Sequence, residues 1–522
     1  MTRIGDHLLL GFEGHELPPD TADLLARGIG IGVTLFRHGN VRDVAQVREL
    51  TDAIRRAAGR PVLVCADQEG GQFLALGDDT TPFAGNLALG AADDPDLTRR
   101  VAAAMAAEIR AAGVDVDYAP VCDLLTNPDN PNLGIRCFGA DPDHVARHAA
   151  AFTAGLVDGG AVAAAKHFPG KGDAAVDSHH QLPTLPHDLA AMEGRELVPF
   201  AAALDAGAQL VMTAHAAYPA ITGRSDLPAT LARPILTDLL RGRLGFDGVV
   251  VTDALDMKAL GQGARQAIDA ISALRAGADL LLATAQPGMT ERLVEGLDAA
   301  VSRDLLEIDD LARSAARTAR LAAAVDGPRP PLDVIGSAAH RDLAAELAAR
   351  ATTLVRDPAG LLPLSPSARV LAVMPRPFDR TPADTSSTVA PQLAAALGAV
   401  VGSVDELVVD GDPDGGKVDE AVRRAASADV VVLGTIDAHA HPGQAALAGA
   451  LAGTGRPLVT TSLRVPADLA VLPDSTTHLA TYGILRPSLD ALAAVLVGAA
   501  PARGRLPIDV VRYPRGHGLG AS

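Results

Sequence analysis

Two hydrophobic patterns alternate along the first part of the chain. Short, almost continuously apolar runs occur at LLLGF (8–12), GVTLF (32–36), PVLVCAD (61–67), VDVDYAP (114–120), AVAAAKH (161–167), AQLVMTAH (208–215), GVVVTDA (248–254) and ADLLLAT (278–284). Alanine-rich segments with helical spacing separate most of them, such as DVAQVRELTDAIRRAAG (43–59) and LTRRVAAAMAAEIRAAG (97–113). A strand apolar on both faces belongs to a parallel sheet covered by helices. Eight such strands alternating with helices over roughly 300 residues predict an α/β fold, a TIM-type (β/α)8 barrel. Several runs end in a polar group: Asp67, His167, His215 and Asp253. In a barrel the C-terminal strand ends share the active-site face. A doubly wound sheet, the main alternative, would gather its ligand groups at one switch point.

The pattern breaks at AAAVDGPRPPLDVIG (322–336), where proline and glycine density marks a linker. This places a barrel domain in 1–325, the linker in 326–336 and a second domain in 337–522. The second part repeats the alternation with ARVLAVMP, DELVVD, ADVVVLGT, PLVTTSL and HLATYGI, predicting a smaller three-layer α/β sandwich.

Composition narrows the function. A net charge of −18 speaks against nucleic acid or an anionic membrane as partner, since both require a basic face. Three cysteines without a CxxC pair (Cys65, Cys122, Cys137) fit a reducing compartment. No signal peptide or membrane span is evident, so a cytoplasmic protein is expected, with a monomer as the default state. With no Trp and four Tyr, the chain has few of the aromatic platforms that line long sugar clefts, so any sugar site is expected to be a small pocket.

The chemistry concentrates in KHFPGKGDAAVDSHH (166–180), which is neither a core strand nor an amphipathic helix. LLRGRLGFDGVVVTDALDM (239–257) resembles the nucleophile segment of glycoside hydrolase family 3, with Thr252-Asp253 ending the strand. KHFPGKGD and DSH (177–179) resemble the loop of that family's β-N-acetylglucosaminidase branch. DQEGG (67–71), GNLALGA (85–91), NPNLGIRCFG (130–139) and VMTAH (211–215) match the branch in order, as do ATTLVRDPAGLLPL (351–364) and GRLPIDV (504–510) in the second domain.

The resemblance implies an exo-acting, retaining hydrolase of terminal β-linked N-acetylglucosamine, with a small carbohydrate as partner and no metal or cofactor. Retaining cleavage needs a nucleophile and an acid/base about 5 Å apart. The resemblance assigns the first role to Asp253 and the second to His179, oriented by Asp177. On spacing alone Asp256 competes with Asp253, and Asp253 also reads as a helix cap. A histidine can give and take a proton near neutrality. Gly170 and Gly172 are read as hinges of this loop. Lys166, His167, Asp67, Arg136 and His215 are implied as substrate-binding groups. The three glutamates of the second domain, Glu346, Glu406 and Glu420, fall in regular elements, so none is an evident acid. Asp437, His439 and His441 have metal-like spacing but read as a loop after a strand.

The chain departs from the branch in two places. DQEGG continues Gln72-Phe73-Leu74-Ala75 where the branch has Arg-Val-x-Arg, removing a grip on the sugar. Lys171 replaces a histidine and reads as a loop lysine able to offset an incoming phosphate. Two further chemistries therefore remain open: a phosphorylase using the same residues, and a Schiff-base lyase acting through Lys166.

Overall fold

The computed structural model describes residues 4–520. The barrel strands are β1 (Leu8–Leu10), β2 (Gly32–Thr34) and β3 (Leu63–Ala66). A hairpin of β4 (Gln68–Gly70) and β5 (Phe73–Leu74) follows. The barrel then continues with β6 (Val116–Asp117), β7 (Val162–Phe168), β8 (Leu210–Thr213), β9 (Val249–Val251) and β10 (Leu281–Leu282). The eight barrel strands are parallel, in the order β10-β1-β2-β3-β6-β7-β8-β9. A parallel bridge between Val251 and Leu280 joins the two ends and closes the barrel.

The continuous apolar runs have a direct structural cause. Leu9, Leu63, Cys65, Val162, Leu210 and Val249 belong to one buried cluster that fills the barrel. Their neighbours Leu8, Val64, Ala163, Val211 and Val250 belong to another, packed under the helices. Both faces of each strand are thus removed from water. The helices begin where the sequence supplies caps. Asp43 accepts from Gln46 N ahead of Val44–Ala58, and Asp141 accepts from His144 N ahead of Pro142–Asp158. The ladders are shorter than the apolar runs because the chain leaves the sheet as it enters the upper loops. Asp67 stands one residue beyond β3 and Asp253 two beyond β9.

The second sheet holds β11 (Thr353–Arg356), β12 (Arg369–Pro375), β13 (Ser403–Val409), β14 (Val430–Thr435), β15 (Leu458–Ser462) and β16 (Thr477–Ala480). Its order is β11-β16-β15-β14-β12-β13, parallel throughout except for the antiparallel pairing of β11 with β16. The five runs read as strands are all present. The edge strand β11 is additional, and it lies within the stretch singled out above only for its resemblance. Apolar clusters cover both faces, one through Leu397 and Leu489, the other through Ala425 and Leu447, giving three layers.

Helix Ala338–Ala351 buries Leu343 and Leu347 in the same cluster as barrel residues such as Leu87. Leu506 and Ile508 of the C-terminal stretch join that cluster too. More important for the site is the hairpin β4–β5. Gln72 donates through Nε2 to Asp384 of the second domain (2.9 Å), and its carbonyl accepts from Thr385 N (2.8 Å). Asp384 is itself held by Arg464 and by the backbone N–H groups of Arg380 and Ser386. The stretch 379–386 is thereby fastened over the barrel mouth.

Candidate active site

At the C-terminal ends of the barrel strands lies a small inner pocket of about 70 Å³. Asp67, Arg136, Lys166, His167, His179 and Asp253 line it, together with Lys171. It adjoins an outer chamber of about 570 Å³, with which it shares Asp67, His179 and Ala254 among its walls. Asp256 and the exposed His180 line the outer chamber only.

One wall is an ion-pair chain. Lys166 Nζ lies 2.5 Å from Asp67 Oδ1 and also pairs with Glu69. Glu69 in turn receives Arg136 Nε (2.8 Å) and Nη2 (2.7 Å) in a two-pronged bond. The Arg136 guanidinium sits 4.1 Å over the Phe73 ring. Burial alone would raise the Glu69 carboxyl, but Arg136 and Lys166 outweigh it and hold the pKa at about 2. Burial alone would lower Lys166, but Asp67 and Glu69 hold it above the usual lysine value. Glu69 was not among the expected site residues, although it stands in the DQEGG motif.

Replacing it by Gln leaves two buried cations with one carboxylate, at an expected cost of about 3–5 kcal/mol. The folded-state pKa of Glu69 lies below an unfolded value of about 4.3. Its contribution is therefore fully present above about pH 5 and fades as the pH falls towards 2. Urea unfolding of wild type and Glu69→Gln should differ most at neutral pH and converge in acid. A gap that stays constant across that range would refute this assignment.

A second wall is organised by Asp123, also absent from the expectations. Its Oδ2 lies 2.7 Å from His167 Nδ1 and its Oδ1 accepts from Lys171 N at 2.7 Å. Asn130 Nδ2 donates to the carbonyls of Lys171 (3.1 Å) and Gly172 (3.0 Å). The loop is thus pinned at its start. A Cβ on Gly172 would meet Leu124 O at 1.6 Å, so this glycine serves close approach and not the hinge expected of it. Gly170 does adopt a positive φ of 113°.

Lys171 is not a solvated loop residue. It is buried, and its Nζ lies 4.0 Å from Asp253 Oδ2. Burial would raise Asp253, but Lys171, His215 and His179 outweigh it and hold the carboxyl below its ordinary value. The other oxygen of Asp253 accepts from Ala254 N at 2.8 Å, which fixes its orientation. His179 lines the same pocket, with its Nδ1 2.8 Å from Asp177 Oδ1. That oxygen also accepts from His179 N (2.9 Å) and from Asn132 Nδ2 (3.3 Å). Burial opposes ionisation of Asp177, but the bond to His179 prevails and the pKa falls to about 2. Nε2 of His179 bonds to none of the described residues and is left for a ligand.

His215 departs from the expected role. It is buried and absent from the pocket wall. Its Nδ1 bonds Thr230 Oγ1 (2.7 Å) and its Nε2 bonds Ala254 O (3.1 Å), so no nitrogen remains for a substrate. It supports the backbone beside Asp253. The Gln72–Ala75 departure also acquires a reason. Gln72 docks the second domain, Phe73 supports Arg136, and Ala75 faces the outer chamber. The docked segment brings Thr381 and Ala383 to the inner pocket. Thr381 is buried, and its hydroxyl has no partner among the described residues. No sequence pattern pointed to Thr381, because its place depends on contacts between two domains.

Glu346, Glu406 and Glu420 are absent from both chambers. Asp437 pairs with Arg464 (3.1 Å) and His439 with Asp468 (3.1 Å), so the metal-like spacing in that loop is spent on protein partners. Among the described residues no helix is long and apolar enough to cross a membrane.

Residues 18–321 match the model of the glycosyl hydrolase family 3 N-terminal domain, which is more than half of the chain. The chain belongs to glycoside hydrolase family 3. β-Hexosaminidase A of Pseudoalteromonas piscicida is 31% identical over 95% of this chain and 91% of its own length. A family 3 β-N-acetylglucosaminidase from Paenibacillus sp. str. FPU-7 superposes with a TM-score of 0.92 at 34% identity, covering 97% of each chain. A β-glucoside phosphorylase shares the fold at a TM-score of 0.81, with 22% identity over 97% of this chain and 93% of its own. The two-domain architecture described above is shared with the Paenibacillus enzyme over 97% of each chain, and the chain is a glycosidase.

Proposed function

We propose that this family 3 glycosidase is a retaining exo-β-N-acetylglucosaminidase. It removes terminal β-linked N-acetylglucosamine from peptidoglycan fragments or chitooligosaccharides. The observation that carries the reading is that Asp253 and the free Nε2 side of His179 border the same inner pocket, with Asp177 behind the imidazole. Asp253, ionised and aimed by Ala254 N–H, attacks the anomeric carbon while His179 protonates the departing oxygen. The neutral imidazole then takes a proton from water, which hydrolyses the glycosyl ester. Asp177 holds the imidazole in orientation and stabilises its cation. Asp67, Lys166 and Arg136 offer charged hydrogen-bond partners to the sugar hydroxyls. The inner pocket is continuous with the outer chamber through Asp67, His179 and Ala254, and together they suit a terminal sugar seated against the inner charged groups with a variable leaving group outside. Three free buried cysteines accord with work in the cytoplasm.

Two other chemistries fit less well. A Schiff-base lyase needs a neutral amine, whereas Asp67 and Glu69 keep Lys166 charged. A phosphorylase must bring an anion to the glycosyl ester beside Asp177, which is held ionised and repels it. Product analysis with N-acetylglucosaminide substrates at millimolar phosphate separates the two: free sugar is expected to dominate. Sugar 1-phosphate as the main product would replace the hydrolase by the phosphorylase.

The orphan hydroxyl of Thr381 supports a role in holding the glycone. Thr381→Val preserves shape and removes a group without a protein partner. Thermal stability should be unchanged or slightly raised, while kcat/KM falls by about tenfold, one lost hydrogen bond. Unchanged kcat/KM would remove Thr381 from the substrate site.

A further inference from the structure

A second convergence of ligand atoms lies outside the pocket, beside helix Pro142–Asp158. His144 and His148 are four residues apart and project from the same helical face. Asp93, the left-handed cap of helix Asn86–Ala92, brings its carboxylate to that face. Asp93 Oδ1 is 3.3 Å from His144 Nδ1 and 3.7 Å from His148 Nε2. One ligand atom from each residue lies within 4.8 Å of the others. A tetrahedral zinc ion with bonds of about 2.0–2.2 Å sets its ligand atoms about 3.3–3.5 Å apart.

The hydrogen bonds around His148 fix which nitrogen is free. Thr98 Oγ1 donates to Asp94 O (3.1 Å) and lies 2.8 Å from His148 Nδ1. With its only proton given to Asp94, the hydroxyl accepts from His148 Nδ1–H. A neutral His148 then carries a bare lone pair on Nε2. That atom is fully buried, has no hydrogen-bond partner among the described residues, and faces Asp93. The arrangement matches the tautomer of a metal-binding histidine oriented from behind by an outer hydrogen bond. Phe138 stacks on the same ring at 5.6 Å and limits its rotation. Arg147 Nη2 donates to Asp93 Oδ1 (3.3 Å) and to His144 Nδ1 (3.4 Å), so both of these atoms act as acceptors. Three acceptors therefore converge, and a half-exposed arginine stands where a cation belongs.

We propose that Asp93, His144 and His148 bind a divalent transition-metal ion of the zinc class, with water in the fourth position and Arg147 swung into solvent. The ion clamps the end of helix Asn86–Ala92 to helix Pro142–Asp158. It has no part in the glycosidase chemistry.

The test uses the untagged full chain, stripped with chelator, dialysed and titrated calorimetrically with zinc chloride. One tight equivalent is expected, together with a higher Tm and unchanged kcat/KM. Cobalt(II) at the same site should give the intense visible bands of tetrahedral coordination. His148→Ala should weaken zinc binding by at least about tenfold, and Arg147→Ala, which removes the competing cation, should tighten it. Asp93→Asn changes a half-exposed side chain, so it carries the same expectation of loss should the histidine variant fail to fold. The proposal is overturned if wild type binds no tight equivalent, as it would were a proton on His148 the only cation there. It is equally overturned if zinc binds wild type and Asp93→Asn alike.

Discussion

Asp253→Ala is expected to lower turnover of every β-N-acetylglucosaminide by about 10⁴-fold or more, because the covalent route disappears with the carboxylate. The fold should survive. The side chain makes one hydrogen bond, to the adjacent Ala254 N, and a looser 4.0 Å contact with Lys171. Burial already lowers the pKa of Lys171, and without Asp253 it can shed its proton instead of remaining an unpaired buried charge. Circular dichroism and Tm should therefore stay close to wild type while activity is lost. Near-full activity in this variant, with Asp256→Ala inactive, would move the nucleophile to the outer chamber.

His179→Ala should separate substrates by leaving group. General acid catalysis contributes roughly 10²–10⁴-fold, most of it where the leaving oxygen is basic. A natural disaccharide should lose that much in kcat/KM. A dinitrophenyl glycoside departs almost without protonation, so its kcat/KM should be nearly retained. Its kcat should still fall, because water attacking the glycosyl ester has lost its base. A pre-steady-state burst should appear, and azide, which needs no deprotonation, should restore turnover. Equal losses on both substrates would remove His179 from the acid role and bring His180 back into consideration.

The parts of this molecule legible in the sequence are those set by local pattern. Strands buried on both faces leave continuous apolar runs, and the barrel order follows from their alternation with capped helices. Strand-end residues such as Asp67, His167 and Asp253 reach the pocket because β3, β7 and β9 all point the same way. Pairings across elements are not legible in this manner. His215 occupies a comparable strand-end position, yet Thr230 and Ala254 consume both of its nitrogens. Lys171 reads as a surface loop lysine and becomes buried because Asp123 and Asn130 draw the loop inward. Glu69 shares its motif with Asp67, and nothing local in that motif shows that two cations meet on it. Thr381 enters the site through the docking of Gln72 with Asp384, a contact spanning 312 positions.

The central claim is a covalent glycosyl ester on Asp253, and trapping that ester tests it most directly. A fluorinated N-acetylglucosaminyl fluoride slows both chemical steps by destabilising the cation-like transition state, while its good leaving group keeps the first step fast enough for the intermediate to accumulate. Peptide mass spectrometry of the inactivated protein should find one sugar on the peptide containing Thr252-Asp253-Ala254, with fragmentation placing it on Asp253. A label on Asp256 or on Lys166, or inactivation without any covalent adduct, would contradict it.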